Sequence, residues 1–212
     1  MNTYPGKRAH CAKKGGTAGA KLSSLGDESF CFVKRVMMRQ ARIRRAELAD
    51  VEAVLDLWEE MMAFHARLDG RFRPTPNGRQ HFRDTLQDWM TDASHCVLVA
   101  ETQGQVVGYT IGHLAENPPV LEPRLYGHVS DICVAPARRR TGIARRLFTA
   151  LRRWLERQGA TTVQLHVAAD NPAAQAFWRE MGFSPFMTRM WLHLEPVEPG
   201  TGPSRDPGLS EA

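Results

Sequence analysis

"VAPARRRTGIARRLF", residues 134–148, joins an apolar run to a helical repeat through three arginines and a glycine. Arg138, Arg139 and Arg140 lead into Thr141, Gly142, Ile143 and Ala144. From there Ile143, Leu147, Leu151 and Leu155 recur at helical spacing, and Gly159 follows as a stop. Upstream, "LYGHVSDICVA" (125–135) reads as a strand. A strand that turns straight into a helix leaves free N–H groups and the positive end of a dipole at the turn. Glycine at 142 and a small residue at 144 keep that backbone open to an anion such as a pyrophosphate. Neither a G-x-x-x-x-G-K-[ST] loop nor a G-x-G-x-x-G fingerprint is present. On spacing alone, a charged helix start on a solvated surface fits equally well.

Working outward, "ARIRRA" (41–46) alternates as a first strand, and 47–68 is a long helix carried by Val51, Val54, Leu55, Trp58, Met61 and Met62. Residues 79–90 form a shorter helix, and 96–101 with 106–115 form a hairpin around "TQGQ". Residues 161–167 read as a buried strand, 171–183 as a helix with proline in its first turn, and 186–195 as a last strand. This order predicts an α/β (α+β) fold: one mixed, mostly antiparallel central sheet with helices on both faces.

The 212 residues suffice for one domain with a full core. All five lysines lie at or before Lys34. Residues 1–40 carry a net charge of +6, residues 41–194 only +2, and the last eighteen −3. Residues 1–37, rich in Gly, Ser and Lys, are expected to be a disordered extension, either a targeting segment or sequence upstream of a start at Met37 or Met38. Residues 196–212 are expected to be a disordered tail, which leaves 38–195 as the domain. The basic balance therefore belongs mostly to the arm, which argues against a nucleic-acid-binding module. No apolar run approaches ~18 residues and no secretory core follows the first methionine, so no membrane partner is expected. Cys11, Cys31, Cys96 and Cys133 form no C-x-x-C pair and no zinc spacing with histidine. No metal is expected, and reduced thiols fit a cytoplasmic protein.

The two motif blocks together resemble the GNAT superfamily of acyl-CoA N-acyltransferases. Val134, Pro136, Arg139, Gly142 and Ala144 match its strand, proline and [Arg/Gln]-x-x-Gly-x-[Gly/Ala] turn. Asn171, Ala174, Phe177, Gly182 and Phe183, in "LHVAADNPAAQAFWREMGF", match its later strand, asparagine, helix and Gly-Phe. The resemblance covers about residues 41–194. It implies an N-acetyltransferase that uses acetyl-CoA as co-substrate and an amine of a small molecule or protein as acceptor. Backbone N–H groups of Arg139, Arg140, Thr141, Gly142, Ile143 and Ala144 would hold the pyrophosphate. Backbone groups of Ile132, Cys133 and Val134 would pair with the pantetheine arm. Asn171 would bond that arm from the other side, between strands 125–135 and 161–167 splayed to admit it. A homodimer is compatible with this reading.

The chemistry implied is direct attack of a neutral amine on the thioester, with a backbone N–H near Val134 facing the oxyanion. The family's usual tyrosine, which protonates the departing thiolate, is replaced by Trp178, and an indole cannot donate at useful pH. Tyr109 and Tyr126 lie on nearby strands, where packing is the plainer role. For the base, the sequence offers His128 slightly ahead of Asp131, with a water relay as the third option. Strict alternation puts 128 and 134 on one face and 131 on the other; a bulge would reverse this. His166 reads as a packed or surface residue. Arg67, Arg71, Arg73, Arg79 and Arg83 read first as a solvated surface, and second as a greeting for an acidic acceptor. Trp178 is also the one support for a different class, an acyl-CoA-binding regulator without catalysis.

Overall fold

A computed structural model of the chain describes residues 41–194. The expected extension, the expected tail and the domain limits at 38 and 195 lie outside the described residues. Two compact units divide the chain at His166/Val167.

The first unit contains a five-stranded sheet in the order β1-β2-β3-β4-β5. The strands are β1 (Arg42–Arg45), β2 (His95–Thr102), β3 (Gln105–Glu116), β4 (Leu125–Val134) and β5 (Val163–Leu165). All neighbours are antiparallel except β4 and β5, which are parallel. The mixed, mostly antiparallel sheet expected from the sequence is what forms. Gln103 (φ 54°) and Gly104 (φ 76°) make the two-residue turn between β2 and β3, whose twist suits a hairpin.

Helices α1 (Val51–Leu68) and α2 (Gly78–Thr91) cover one face. Val51, Val54, Leu55 and Leu57 of α1 and Leu86 of α2 bury against Val97, Val99, Tyr109, Ile111 and Cys133 of the sheet. A turn at Leu48–Asp50 precedes α1, and the Asp50 carboxylate accepts the Glu47 N–H at 2.8 Å, closing a capping box. Helix α3 (Ile143–Arg157) covers the other face with the expected Ile143, Leu147, Leu151 and Leu155, joined by Phe148 and Trp154. It lies very close to the sheet. A Cβ at Gly127 would stand 2.6 Å from Leu155 Cδ1, and one at Gly112 would stand 2.8 Å from Leu151 Cδ2.

Two expectations change. The strand expected at 161–167 is only Val163–Leu165, and it is half-buried. It is an edge strand whose single partner, β4, matches just three of its residues. In the second unit, α4 (Pro172–Glu180) forms as expected, but the strand expected at 186–195 does not appear at 186–194. Phe186, Met187, Met190, Trp191, Leu192 and Leu194 are all exposed. The apolar residues there fall in both phases of a two-residue repeat, so they define no single face to bury.

Candidate functional site

Strand β4 ends at Val134 and passes through a short turn at Pro136–Arg138. Arg140 (φ 59°) and Gly142 (φ 82°) then take left-handed conformations that swing the chain into α3. The first amide of this helix to reach back is that of Arg146, which donates to the Gly142 carbonyl at 3.1 Å. The amides of Thr141, Gly142, Ile143 and Ala144 precede it, at the positive end of the dipole. A side chain on Gly142 would meet nothing within 4 Å, so the turn is open above that backbone. Arg139 is exposed but committed: its Nε donates to the Val134 carbonyl at 3.0 Å and an Nη donates to Glu60 of α1 at 3.1 Å. Its side chain thus braces the turn, and its own N–H is spent on the Pro136 carbonyl at 3.2 Å, so the open amide row begins after Arg139 and not at it as the resemblance implied.

The register of β4 against β3 slips at one point. Ile111 faces Asp131, but Gly112 faces Val129, which leaves Ser130 unmatched. This bulge decides the question the sequence left open. Asp131 lies with Ile111 and Cys133 on the α1–α2 face. His128 lies there too, because His113, its register partner, stacks on His95 and thence on Trp89 of α2. On its other edge, β4 pairs with β5 only from Gly127 to Val129. From Ser130 to Val134 that edge has no strand beside it among the described residues, because β5 ends at Leu165, the partner of Val129. Ile132, Cys133 and Val134 sit along this opening, next to the turn.

The two candidate bases differ in surroundings. The Asp131 carboxylate makes no hydrogen bond or ion pair among the described residues, although its backbone carbonyl accepts from Thr110 Oγ1 at 2.8 Å. Burial pushes this carboxyl up to about 6. His128 is pushed down to about 4, first by burial and then by the imidazoles of His113 and His166. Its Nδ1 is buried without a partner, and its Nε2 meets His166 Nδ1 at 3.4 Å. These rings continue a row, with centroids 5.4 Å apart for His128–His166, 5.0 Å for His113–His128 and 5.1 Å for His95–His113. Sequence reasoning missed this row; the only trace was one histidine near the matching position of each strand.

The Cys133 thiol donates to the Leu57 carbonyl at 3.5 Å and is pushed up to about 12 by burial, so only its backbone is offered to a ligand. Three of the five arginines in the acceptor segment are used internally. Arg71 pairs with Asp69. Arg79 ties α2 to Glu52 (3.0 Å), Asp56 (2.8 Å) and Glu59 of α1. Arg83 pairs with Glu52 at 2.6 Å. The structural reading of this surface is the one supported.

In the second unit, Asn171 is buried and its Oδ1 accepts the Ala174 N–H at 3.0 Å, capping α4. That bond leaves the carboxamide N–H₂ as its remaining donor. Trp178 is buried between Phe177 and Phe183, with ring centroids 4.9 and 5.2 Å away. Among the described residues, no three His, Cys, Asp or Glu side chains are grouped to hold a metal. No helix among them is long and apolar enough to cross a membrane.

The chain is similar to a mutant of the BH1408 protein from Bacillus halodurans, at TM-score 0.64 and 25% identity, over 73% of this chain and 99% of that one. It is similar in fold to aminoglycoside antibiotic 6′-N-acetyltransferase AAC(6′)-IG from Acinetobacter haemolyticus, at TM-score 0.59 and 18% identity, over 74% and 99%. It is likewise similar to aminoglycoside N-acetyltransferase AAC(6′)-Iy in complex with CoA, at TM-score 0.57 and 14% identity, over 73% and 100%. A sequence profile described as "Acetyltransferase (GNAT) family" matches residues 52–183, more than half of the chain, and so the chain belongs to that family.

Proposed function

We propose that this chain transfers an acetyl group from acetyl-CoA to a primary amine of a small molecule or protein, by direct attack within a ternary complex, with Asp131 as the base. The observation that carries this reading is the conjunction at one end of β4. The amide row from Arg140 to Ala144, the edge from Ser130 to Val134 that no strand among the described residues pairs with, and the unpartnered Asp131 carboxylate lie within one strand and its following turn. The solved relatives named as aminoglycoside N-acetyltransferases support an amine as acceptor.

Acetyl-CoA supplies the thioester. The turn amides bind its pyrophosphate, and the free β4 edge pairs with the pantetheine arm. An ammonium of pKa ~10.4 must lose a proton before it can attack. Asp131, at about 6, is ionised at neutral pH and weakly enough acidic to share that proton. His128 serves less well, because its Nδ1 is buried, its Nε2 is engaged with His166, and its low affinity for a proton makes it a poor acceptor. A backbone N–H near Val134 is placed to face the developing oxyanion. The leaving thiol, of ordinary pKa ~8.5, departs without the acid that Trp178 cannot be.

Thiol release from acetyl-CoA, measured across a panel of small amines, aminoglycosides and N-terminal or lysine peptides, tests the reading. Turnover with at least one amine class is expected. Tight CoA binding with no turnover on any of them would instead favour a non-catalytic acyl-CoA sensor.

A further inference from the structure

Tyr109 lies on β3 opposite Cys133, one step along from the pair Ile111–Asp131. It therefore stands diagonal to Asp131 on the same face of the sheet, without a direct bond from phenol to carboxylate but at a spacing that one bridging group spans. Its side chain has no solvent exposure, and its hydroxyl makes no hydrogen bond. Around it are Val97, Val99, Ile111, Leu55 and Leu57, where a phenylalanine would pack without a polar atom to satisfy. Two polar groups without partners among the described residues thus occupy neighbouring positions on one face of the sheet, one a donor and the other an acceptor. The negative charge of Asp131, added to burial, raises the Tyr109 phenol well above its ordinary range. Tyr109 therefore stays protonated and available to donate wherever Asp131 is ionised.

We propose that Tyr109 is a positioning residue for the acetyl transfer: its hydroxyl donates to the Asp131 carboxylate through one bridging water and sets the pH at which Asp131 becomes a base. This rests on the reading of Asp131 as that base. His128 and Cys133 share the face of β4 that carries Asp131, and Cys133 also feels Glu60 of α1 and Arg139 of the turn, which pair with each other at 3.1 Å. No proton leaves Tyr109. The amine's proton passes to Asp131, and the phenol orients the carboxyl oxygen that does not receive it.

The test is Tyr109→Phe, read in two ways. In the free protein, the Asp131 carboxyl is titrated by carbon-13 NMR, with Asp131→Asn used to assign its signal. In turnover, kcat and both KM values are measured from pH 5.5 to 8.5. The Asp131 titration and the ascending limb of the rate profile should both move up by at least about half a unit. The rate should fall ~2-fold or more near pH 6, recover by pH 8.5, and leave the KM for acetyl-CoA unchanged. An unmoved carboxyl titration, or an equal loss at every pH, would overturn the proposal. If Tyr109→Phe does not fold, 3-fluorotyrosine at 109, a stronger donor of the same shape, must shift the carboxyl downward; no shift refutes the link. If the wild-type protein acetylates no amine, the reading of function fails, while the carboxyl titration still decides whether Tyr109 controls Asp131.

Discussion

At the scale of single residues, the turn and the base are separable. Gly142 has φ 82° and nothing within 4 Å of where a Cβ would point. Gly142→Glu would therefore fold at a strain of ~1 kcal/mol from the left-handed backbone. Its carboxylate would stand in the anion's path, so CoA affinity should drop at least about tenfold, or ~1.4 kcal/mol. Calorimetry with CoA measures this, and an unchanged Kd would remove the turn from the binding site. For the base, Asp131→Asn should lower kcat by ~10²–10⁴ at an unchanged KM for acetyl-CoA. His128→Gln should cost much less, because its nitrogens are sealed or engaged with His166. A severe loss in His128→Gln and a mild one in Asp131→Asn would exchange the two roles. This assignment was not available from the sequence. Alternation predicts opposite faces for 128 and 131, and only the bulge at Ser130 puts them together. Serine carries no signal of a bulge, since the slip is set by how β3 and β4 register along their whole length.

At the scale of elements, the junction of β1 with α1 shows how a local motif fixes a long helix. Asp50, 6% exposed, receives both Nη groups of Arg44, at 2.6 and 2.9 Å, as well as the Glu47 N–H. Arg44 also pairs with Glu101 of β2 at 2.7 Å. Asp50→Ala would strand neither end completely, because Glu101 remains for Arg44. The loss should be about 2 kcal/mol, below the full figure for an orphaned buried charge, and near 4–8 °C in Tm. A change under ~1 °C by calorimetry would mean the network merely decorates the junction. Elements with strong local periodicity were legible in advance: α1 from Val51, Val54 and Leu55, and α3 from Ile143, Leu147, Leu151 and Leu155. The failures were non-local. β5 is cut to three residues by what β4 offers it, and Phe186 to Leu194 carry strand-forming residues without a ladder among the described residues. The histidine row needs four strands in register before it exists, so no window of sequence contains it. The turn after β4 was legible as an anion site from Gly142 and its arginines. Which arginine braces it and which amides it offers were not, because Glu60 lies in another element.

At the scale of the whole molecule, Asp131 and His128 act on stability in opposite directions. The folded state holds His128 near 4, against an ordinary 6.5. Above 6.5 neither folded nor unfolded chain is protonated there, and the residue is neutral in its effect. As pH falls from 6.5 to 4 the unfolded chain takes up a proton that the folded one refuses, and stability drops, by less than the full shift implies because the ring is only half-buried and solvent screens it. Asp131 is held near 6, against an ordinary 3.8. Below 3.8 both states are protonated; as pH rises to 6 the unfolded chain releases its proton first, and stability drops by about 3 kcal/mol. Between pH 4 and 6 the two slopes therefore oppose each other, upward from His128 and downward from Asp131. Single variants expose each slope. In urea denaturation at pH 4.5, 5.0, 5.5 and 6.0, Asp131→Asn should gain stability relative to wild type with rising pH. His128→Gln should lose it over the same interval. The remaining histidines with depressed affinity, His65 and His113, give every protein the same upward slope and drop out of the comparison. Parallel curves for all three proteins would show that neither group is perturbed in the fold, and would withdraw the electrostatic argument that makes Asp131 the base.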